Sequence, residues 1–307
     1  MMKSPIQWLI LLGISSCLSS GTILNYSFVI GGKEVKRIEE YPFMCHLFIQ
    51  NNPACGGSII HEYWILTAGH CLFRQDRAAS ATYSPEDIVV VIGNRANSIQ
   101  LPLKVRYFVV HPEFDNVRLK NDIALVRVAS KMQFNRQTNS IKISQDQVDA
   151  DEELAALGWG ETERDIGSKY LKKTSILTSG RAEKCRSHLE DYVDNNGLQI
   201  CAETAVGDTC NGDSGGPLLS TGYPIELVGI TSYAASWNGS THQFCGGQEM
   251  LGIYTHVYPY LEFISAHTGI AGAEFLRSSP SASSSIRSDP FADWRWLVIG
   301  CLLWMQI

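Results

Sequence analysis

The chain has 307 residues, of which 45% are hydrophobic and 18% charged, with a formal net charge of −6. This composition supports a packed globular core and excludes a disordered chain or a coiled coil. The acidic balance leaves no basic field to hold a phosphate backbone, so nucleic acid is not an expected partner.

The predicted elements begin with a processing signal over residues 1–20. Lys3 precedes the apolar run Trp8 to Ile14, and the small residues Ser15, Ser16, Ser19, Ser20 and Gly21 follow, which is the pattern of a cleaved secretory peptide. The mature chain is therefore expected in an oxidising environment, secreted from the cell, where its cysteines pair. Between Val29 and Ile264, short β-rich runs alternate with turn residues. They are Met44 to Ile49, Ser58 to Ile60 with Trp64 to Thr67, Ile88 to Ile92, Val105 to Val110, Ile123 to Val128, Leu154 to Leu157, Leu218 to Leu219 and Leu227 to Thr231. Such spacing predicts an antiparallel all-β barrel or sandwich rather than βαβ units, and the length admits two barrels. A helix is predicted over Pro259 to His267, where Leu261, Ile264 and Ser265 share a face behind an early proline, and it closes a domain spanning 29–269.

Beyond that helix the composition shifts. Ser278 to Ser288 is serine-rich and contains Pro280, so residues 270–295 are predicted to be linker and spacer. Small residues Ser281 to Ser285, a polar spacer through Arg295 and the apolar tail Trp296 to Ile307 match the three-part layout of a GPI-attachment signal. The alternative is an unprocessed hydrophobic terminus. Neither apolar end reaches the roughly 20 residues of a spanning helix.

Nine cysteines are present. Cys17 falls in the signal and Cys301 in the tail, which leaves Cys45, Cys55, Cys71, Cys185, Cys201, Cys210 and Cys245. Their spacing contains no CxxC pair and no histidine cluster at metal-ligand intervals, so disulfides are favoured over zinc and no metal site is expected. The odd count leaves one thiol over.

Three segments carry chemistry. Leu66-Thr67-Ala68-Gly69-His70-Cys71 ends a β run in a histidine, and Asn121-Asp122-Ile123-Ala124-Leu125-Val126 leads an aspartate into a strand. Taken singly, each has an ordinary structural reading. The third, Gly207-Asp208-Thr209-Cys210-Asn211-Gly212-Asp213-Ser214-Gly215-Gly216-Pro217, is far more specific. Its glycines let the backbone bend tightly and leave the serine hydroxyl and the adjacent N–H groups facing outward. A serine hydroxyl is a weak nucleophile that needs an imidazole as base, and the imidazole needs a carboxylate to fix its tautomer. His70, Asp122 and Ser214 supply one of each.

On these residues the sequence resembles the trypsin/chymotrypsin family of serine endopeptidases. The matching pieces are VIGG at Val29, CGGSII at Cys55, LTAGHC at Leu66, NDIALV at Asn121, LGWG at Leu157, CNGDSGGP at Cys210, GITSY at Gly229 and GIYTHV at Gly252. The resemblance implies two six-stranded antiparallel β-barrels with a C-terminal helix and the site in the cleft between them. It makes His70 the general base, Asp122 its orienting carboxylate and Ser214 the nucleophile, with the N–H groups of Gly212 and Ser214 as oxyanion hole. Asp208, six residues before the serine, falls where trypsin-like members carry the carboxylate of the primary pocket, and Gly252 leaves the pocket wall open. Cleavage after Arg or Lys follows. Ala234 stands where the family usually has glycine, and its methyl narrows the entrance.

The resemblance also implies a zymogen in which cleavage before Val29 frees an α-amino group that pairs with Asp213. The residue before the cut is Phe28, and no Lys or Arg lies between Ser19 and Phe28, so residues 21–28 form a propeptide removed by a protease that prefers aromatic residues. The implied disulfides are Cys55 with Cys71, Cys185 with Cys201 and Cys210 with Cys245, which leaves Cys45 as a buried free thiol. Sequons stand at Asn25 and Asn238. No cofactor is implied; the expected partners are a protein or peptide substrate, the activating protease and protein inhibitors. A non-catalytic homologue that uses the fold for binding is one rival reading, and an enzyme of chymotrypsin-like preference is the other.

Overall fold

The computed structural model describes residues 32–74, 81–161, 167–189, 191–203, 209–237 and 250–278. Strand β1 is the short segment Lys33–Glu34. The first half then contributes β2 (Met44–Ile49), β3 (Asn52–His61), β4 (Trp64–Thr67), β5 (Ile88–Ile92), β6 (Leu103–Val110) and β7 (Ala124–Val128). These pair in the order β2-β3-β4-β7-β6-β5, and β5 returns to β2 to close a barrel. Closure explains why every residue of β2 is buried, since both of its edges are paired and its faces meet barrel interior and neighbouring chain.

The second half contributes β8 (Glu153–Gly158), β9 (Lys172–Thr178), β10 (Gln199–Glu203), β11 (Pro217–Leu219), β12 (Leu227–Ser236) and β13 (Met250–His256). Their order is β9-β10-β13-β12-β11-β8, and β8 pairs with β9 to complete a second six-stranded ring, with β1 added at the edge of β9. The protein is thus an all-β fold of two antiparallel barrels. Met44, Leu47, Ile59, Ile65, Leu66 and Leu125 fill the first, and Leu154, Ala156, Ile176, Ile200, Val228 and Tyr254 fill the second. Each large apolar side chain so buried contributes roughly 1.5–3 kcal/mol of transfer free energy.

Three helices complete the described chain: α1 (Ala182–Arg186), α2 (Leu261–Thr268) and α3 (Gly272–Phe275). The closing helix α2 follows a 3-10 turn at Tyr258–Tyr260 and ends at Gly269, whose φ of +71° suits a residue without a Cβ. Packing continues beyond the point where the sequence reading ends the domain. Phe275 on α3 is buried in the first core, and its carbonyl accepts from Ile143 N–H at 2.8 Å. No helix among the described residues is long and apolar enough to cross a membrane.

Disulfides join Cys55 to Cys71 and Cys185 to Cys201. Cys45 is free and buried opposite Gly57, where an added Cβ would lie 2.8 Å from its Sγ, and burial pushes its thiol far up.

Candidate active site

The aspartate is placed first. Asn121 turns the chain with φ +52°, a left-handed conformation that asparagine tolerates, and is held there by Tyr260 Oη at 3.0 Å and by its own amide donating to Glu113 O at 2.9 Å. Asp122 then enters the protein with 0% exposure, just before β7. A carboxylate buried this deeply needs donors, and it has three. His70 N–H donates to Oδ1 at 2.8 Å, His70 Nδ1–H donates to Oδ2 at 2.7 Å, and Ser232 Oγ donates to Oδ2 at 2.5 Å. The aspartate's own carbonyl accepts from Thr255 Oγ1 at 2.9 Å.

Because a carboxylate can only accept, Nδ1 carries the proton and Nε2 is left as the basic nitrogen. The imidazole is 22% exposed, so the ring is not sealed in the core. Cys55, His70 and Cys71 offer donor atoms within 4.8 Å of one another, but the two sulfurs are bonded to each other, so the trio is a disulfide staple beside His70.

Ser214 comes from the other barrel, in the turn before β11. Two glycines shape that turn, Gly212 at φ +94° and Gly215 at φ +76°. Gly215 and Gly216 lie directly on the first barrel. A Cβ on Gly215 would stand 2.2 Å from Thr67 Oγ1, one on Gly56 would stand 2.9 Å from Gly216 Cα, and Gly56 N–H donates to Ser214 O at 2.8 Å. Thr67 is three residues before His70, so this contact brings the serine to the histidine loop. Among the described residues no hydrogen bond joins Ser214 Oγ to His70 Nε2, a link that often tightens only with substrate bound. The N–H groups of Gly212 and Ser214 have no acceptor among the described residues, while that of Asp213 is bound to Cys210 O at 2.9 Å.

Asp213 points the opposite way. Its carboxylate has 0% exposure, accepts from Gly160 N–H at 2.7 Å and from Cys210 N–H at 2.9 Å, and is pushed up to about 6 by burial. On the pocket side, Ala234 and Gly252 are direct cross-strand partners in β12 and β13. A Cβ on Gly252 would meet the Tyr254 ring at 3.1 Å, and Tyr254 Oη lies 3.4 Å from Thr209 Oγ1.

Phe28, Val29, Asp208, Cys245, Asn25 and Asn238 lie outside the described residues, as do the leader and the tail. Cys210 is disulfide-bonded, and Cys245, its expected partner, is in that outside set.

The sequence reading missed Ser232 and Thr255, whose signal was present only as markers within GITSY and GIYTHV. It also missed a cavity of about 600 Å³ that shares Asn121 and Tyr233 with the neighbours of Asp122 and Ser232 and whose walls include Leu119, Leu189 and Tyr192.

Set beside known proteins, residues 29–264 match the family model described as Trypsin. The chain belongs to the trypsin family. It is similar to a trypsin of Phaedon cochleariae, 27% identical over 248 residues that cover 79% of this chain and 89% of the relative. It is likewise similar to trypsin 5G1 of Aedes aegypti, 27% identical with 79% and 85% covered. The CLIP domain-containing serine protease B15 of Anopheles gambiae is 29% identical over 296 residues, covering 86% of this chain and 76% of the relative. As a trypsin-family member the protein is a serine-type endopeptidase.

Proposed function

We propose that this is a secreted endopeptidase that hydrolyses peptide bonds after Arg or Lys, made as a zymogen and activated by cleavage after Phe28. The observation that carries the reading is the fully buried Asp122 carboxylate bound to His70 Nδ1, across the cleft from a serine beside two N–H groups that have no acceptor among the described residues. In this arrangement His70 Nε2 takes the hydroxyl proton as Ser214 Oγ attacks the substrate carbonyl, and Asp122 stabilises the imidazolium that forms. The N–H groups of Gly212 and Ser214 receive the oxyanion. The imidazolium returns the proton to the leaving amine, giving an acyl-enzyme, and water repeats the sequence to release the acid.

The Arg/Lys preference rests on Asp208, six residues before the nucleophile, with Ala234 and Gly252 as facing wall positions. The neighbouring cavity offers an apolar wall to a further substrate residue. The C-terminal small-spacer-apolar layout supports retention by a GPI anchor, which release from cells by a phosphatidylinositol-specific phospholipase tests.

The deciding experiment treats the secreted chain with chymotrypsin, verifies Val29 as the new terminus, and measures turnover of paired Arg, Lys and Phe reporter peptides beside a Ser214→Ala control. Turnover of the Arg and Lys peptides that requires Ser214 and is lost in Asp208→Ser is expected. Turnover of Phe peptides alone favours the chymotrypsin-like reading, and a correctly cut chain that turns over nothing favours a binding homologue.

A further inference from the structure

The turn that carries Ser214 is tied on one side to a carboxylate that the proposed reaction does not use. Glu161 stands three residues beyond the end of β8. Its N–H donates to Asn211 O at 2.8 Å, and its Oε2 accepts from Asn211 Nδ2 at 2.8 Å. A carboxylate only accepts, so the amide nitrogen of Asn211 must face Glu161, and Asn211 Oδ1 is turned away from it. Asn211 directly precedes Gly212, the first of the two proposed oxyanion donors. Main chain and side chain together hold Glu161 at the edge of that turn.

The pair offers acceptors without a matching charge. Glu161 is half-buried and Asn211 exposed. Among the described residues no Lys, Arg or His lies within ion-pair distance of Glu161, and its Oε1 accepts no hydrogen bond. The strand order shows which side of the scissile bond this is. Strand β11 begins three residues after Ser214 and lies between β12 and β8. The pocket positions Ala234 and Gly252 belong to β12 and β13 on one flank, whereas Glu161 follows β8 on the other. A substrate with its side chain in the pocket and its carbonyl oxygen on the Gly212 and Ser214 N–H groups therefore keeps its acyl part on the β12 flank and runs its leaving part towards Glu161.

We infer that Glu161, fixed by Asn211, is a specificity-determining residue for the leaving-group side, where it selects a cationic residue at the first or second position after the cut. This rests on the endopeptidase reading above. A guanidinium or ammonium there supplies donors to Glu161 Oε1 and Asn211 Oδ1 and balances the charge, whereas an acidic residue meets a like charge. With Arg or Lys also preferred before the bond, the favoured substrate is a segment with basic residues on both sides of it.

The test uses chain cut after Phe28, as wild type, Glu161→Gln and Glu161→Lys. The peptides share, at the cleaved bond, the residue that the reporter peptides favour, and carry Arg, Ala or Glu at the first or second position beyond it. Products are separated by mass so that only that bond is scored. Expected is a wild-type kcat/KM for the Arg peptide about threefold to tenfold above that for the Ala peptide, with the Glu peptide lower still. The gap is expected to narrow to within about twofold in Glu161→Gln and to reverse in Glu161→Lys. Glutamine keeps an acceptor for Asn211 Nδ2, so its effect reports charge rather than a displaced turn. Raising the salt from about 0.05 M to about 1 M is expected to shrink the wild-type gap. Equal wild-type rates for the three peptides overturn the inference, as does a wild-type gap that persists in Glu161→Gln. Should the cut wild type turn over no peptide, the endopeptidase reading fails, and the affinity of Ser214→Ala chain for the same peptides decides the role of Glu161. A preference for the Arg peptide that Glu161→Gln removes upholds the inference, and equal affinities overturn it.

Discussion

Ser232 Oγ and His70 Nδ1 both donate to the same oxygen of Asp122, from opposite barrels, at 2.5 and 2.7 Å. The serine therefore helps decide where the carboxylate points, and through it where the imidazole points. Replacing Ser232 with alanine leaves a buried charge with one donor fewer, a loss of about 1.5 kcal/mol for a bond to an ionised group. The expected result is a fall of about tenfold in kcat with KM nearly unchanged, measured on an Arg reporter peptide.

Gly212 supports a second expectation. At φ +94° an alanine is strained, and its Cβ would stand 3.2 Å from Gly160 Cα, so the peptide plane that presents the Gly212 N–H must rotate. Gly212→Ala is expected to lower kcat by about 10²–10³ while leaving binding of a product-like peptide intact. An alanine variant with kcat within twofold of wild type would place the oxyanion donors elsewhere.

Two buried groups give stability opposite pH slopes. Burial holds His46, stacked 4.5 Å from the Trp159 ring, down from 6.5 to about 4, so the unfolded chain binds more protons in that window. Its contribution is present above pH 6.5 and is lost as pH falls towards about 4. Burial raises Asp213 from 3.8 to about 6, so its contribution is present below pH 3.8 and is lost as pH rises through about 6. Urea unfolding of His46→Leu in a Ser214→Ala background is expected to show less stability lost between about pH 7.5 and about pH 4.5 than its parent shows.

The Cys55–Cys71 disulfide closes a segment of sequence separation 16 that contains Gly56 and ends beside His70. Replacing both cysteines with alanine is expected to cost about 3 kcal/mol in unfolding free energy, and to cost activity further because the base loses its anchor. A paired loss of Cys185 and Cys201 is expected to cost similar stability with a smaller effect on kcat, since that bond joins α1 to β10 in the second core.

Strands rich in branched apolar residues were legible. The run Ile88 to Ile92 and the run Met44 to Ile49 coincide with β5 and β2. Strands β9 and β10 were not, because β9 opens on the polar run Lys172, Lys173, Thr174 and Ser175, of which only Thr174 is buried, and β10 offers just Ile200, Cys201 and Ala202 between Gln199 and Glu203. His70, Asp122 and Ser214, the proposed triad, stood out through their motifs. The donor from Ser232 was invisible because it lies 110 residues from Asp122 and joins it only after both barrels have closed.

Both fully described disulfides lie within a single barrel, so neither of them stitches the halves together. Where the segments carrying His70 and Ser214 meet, glycine main chain touches glycine main chain, Gly56 against Gly215 and Gly216. At those glycine contacts no rotamer is available to absorb an error of fit. Loops around the cleft can change length and chemistry without disturbing the alignment of catalysis, whereas one methyl group at the seam pushes the two halves of the machine apart.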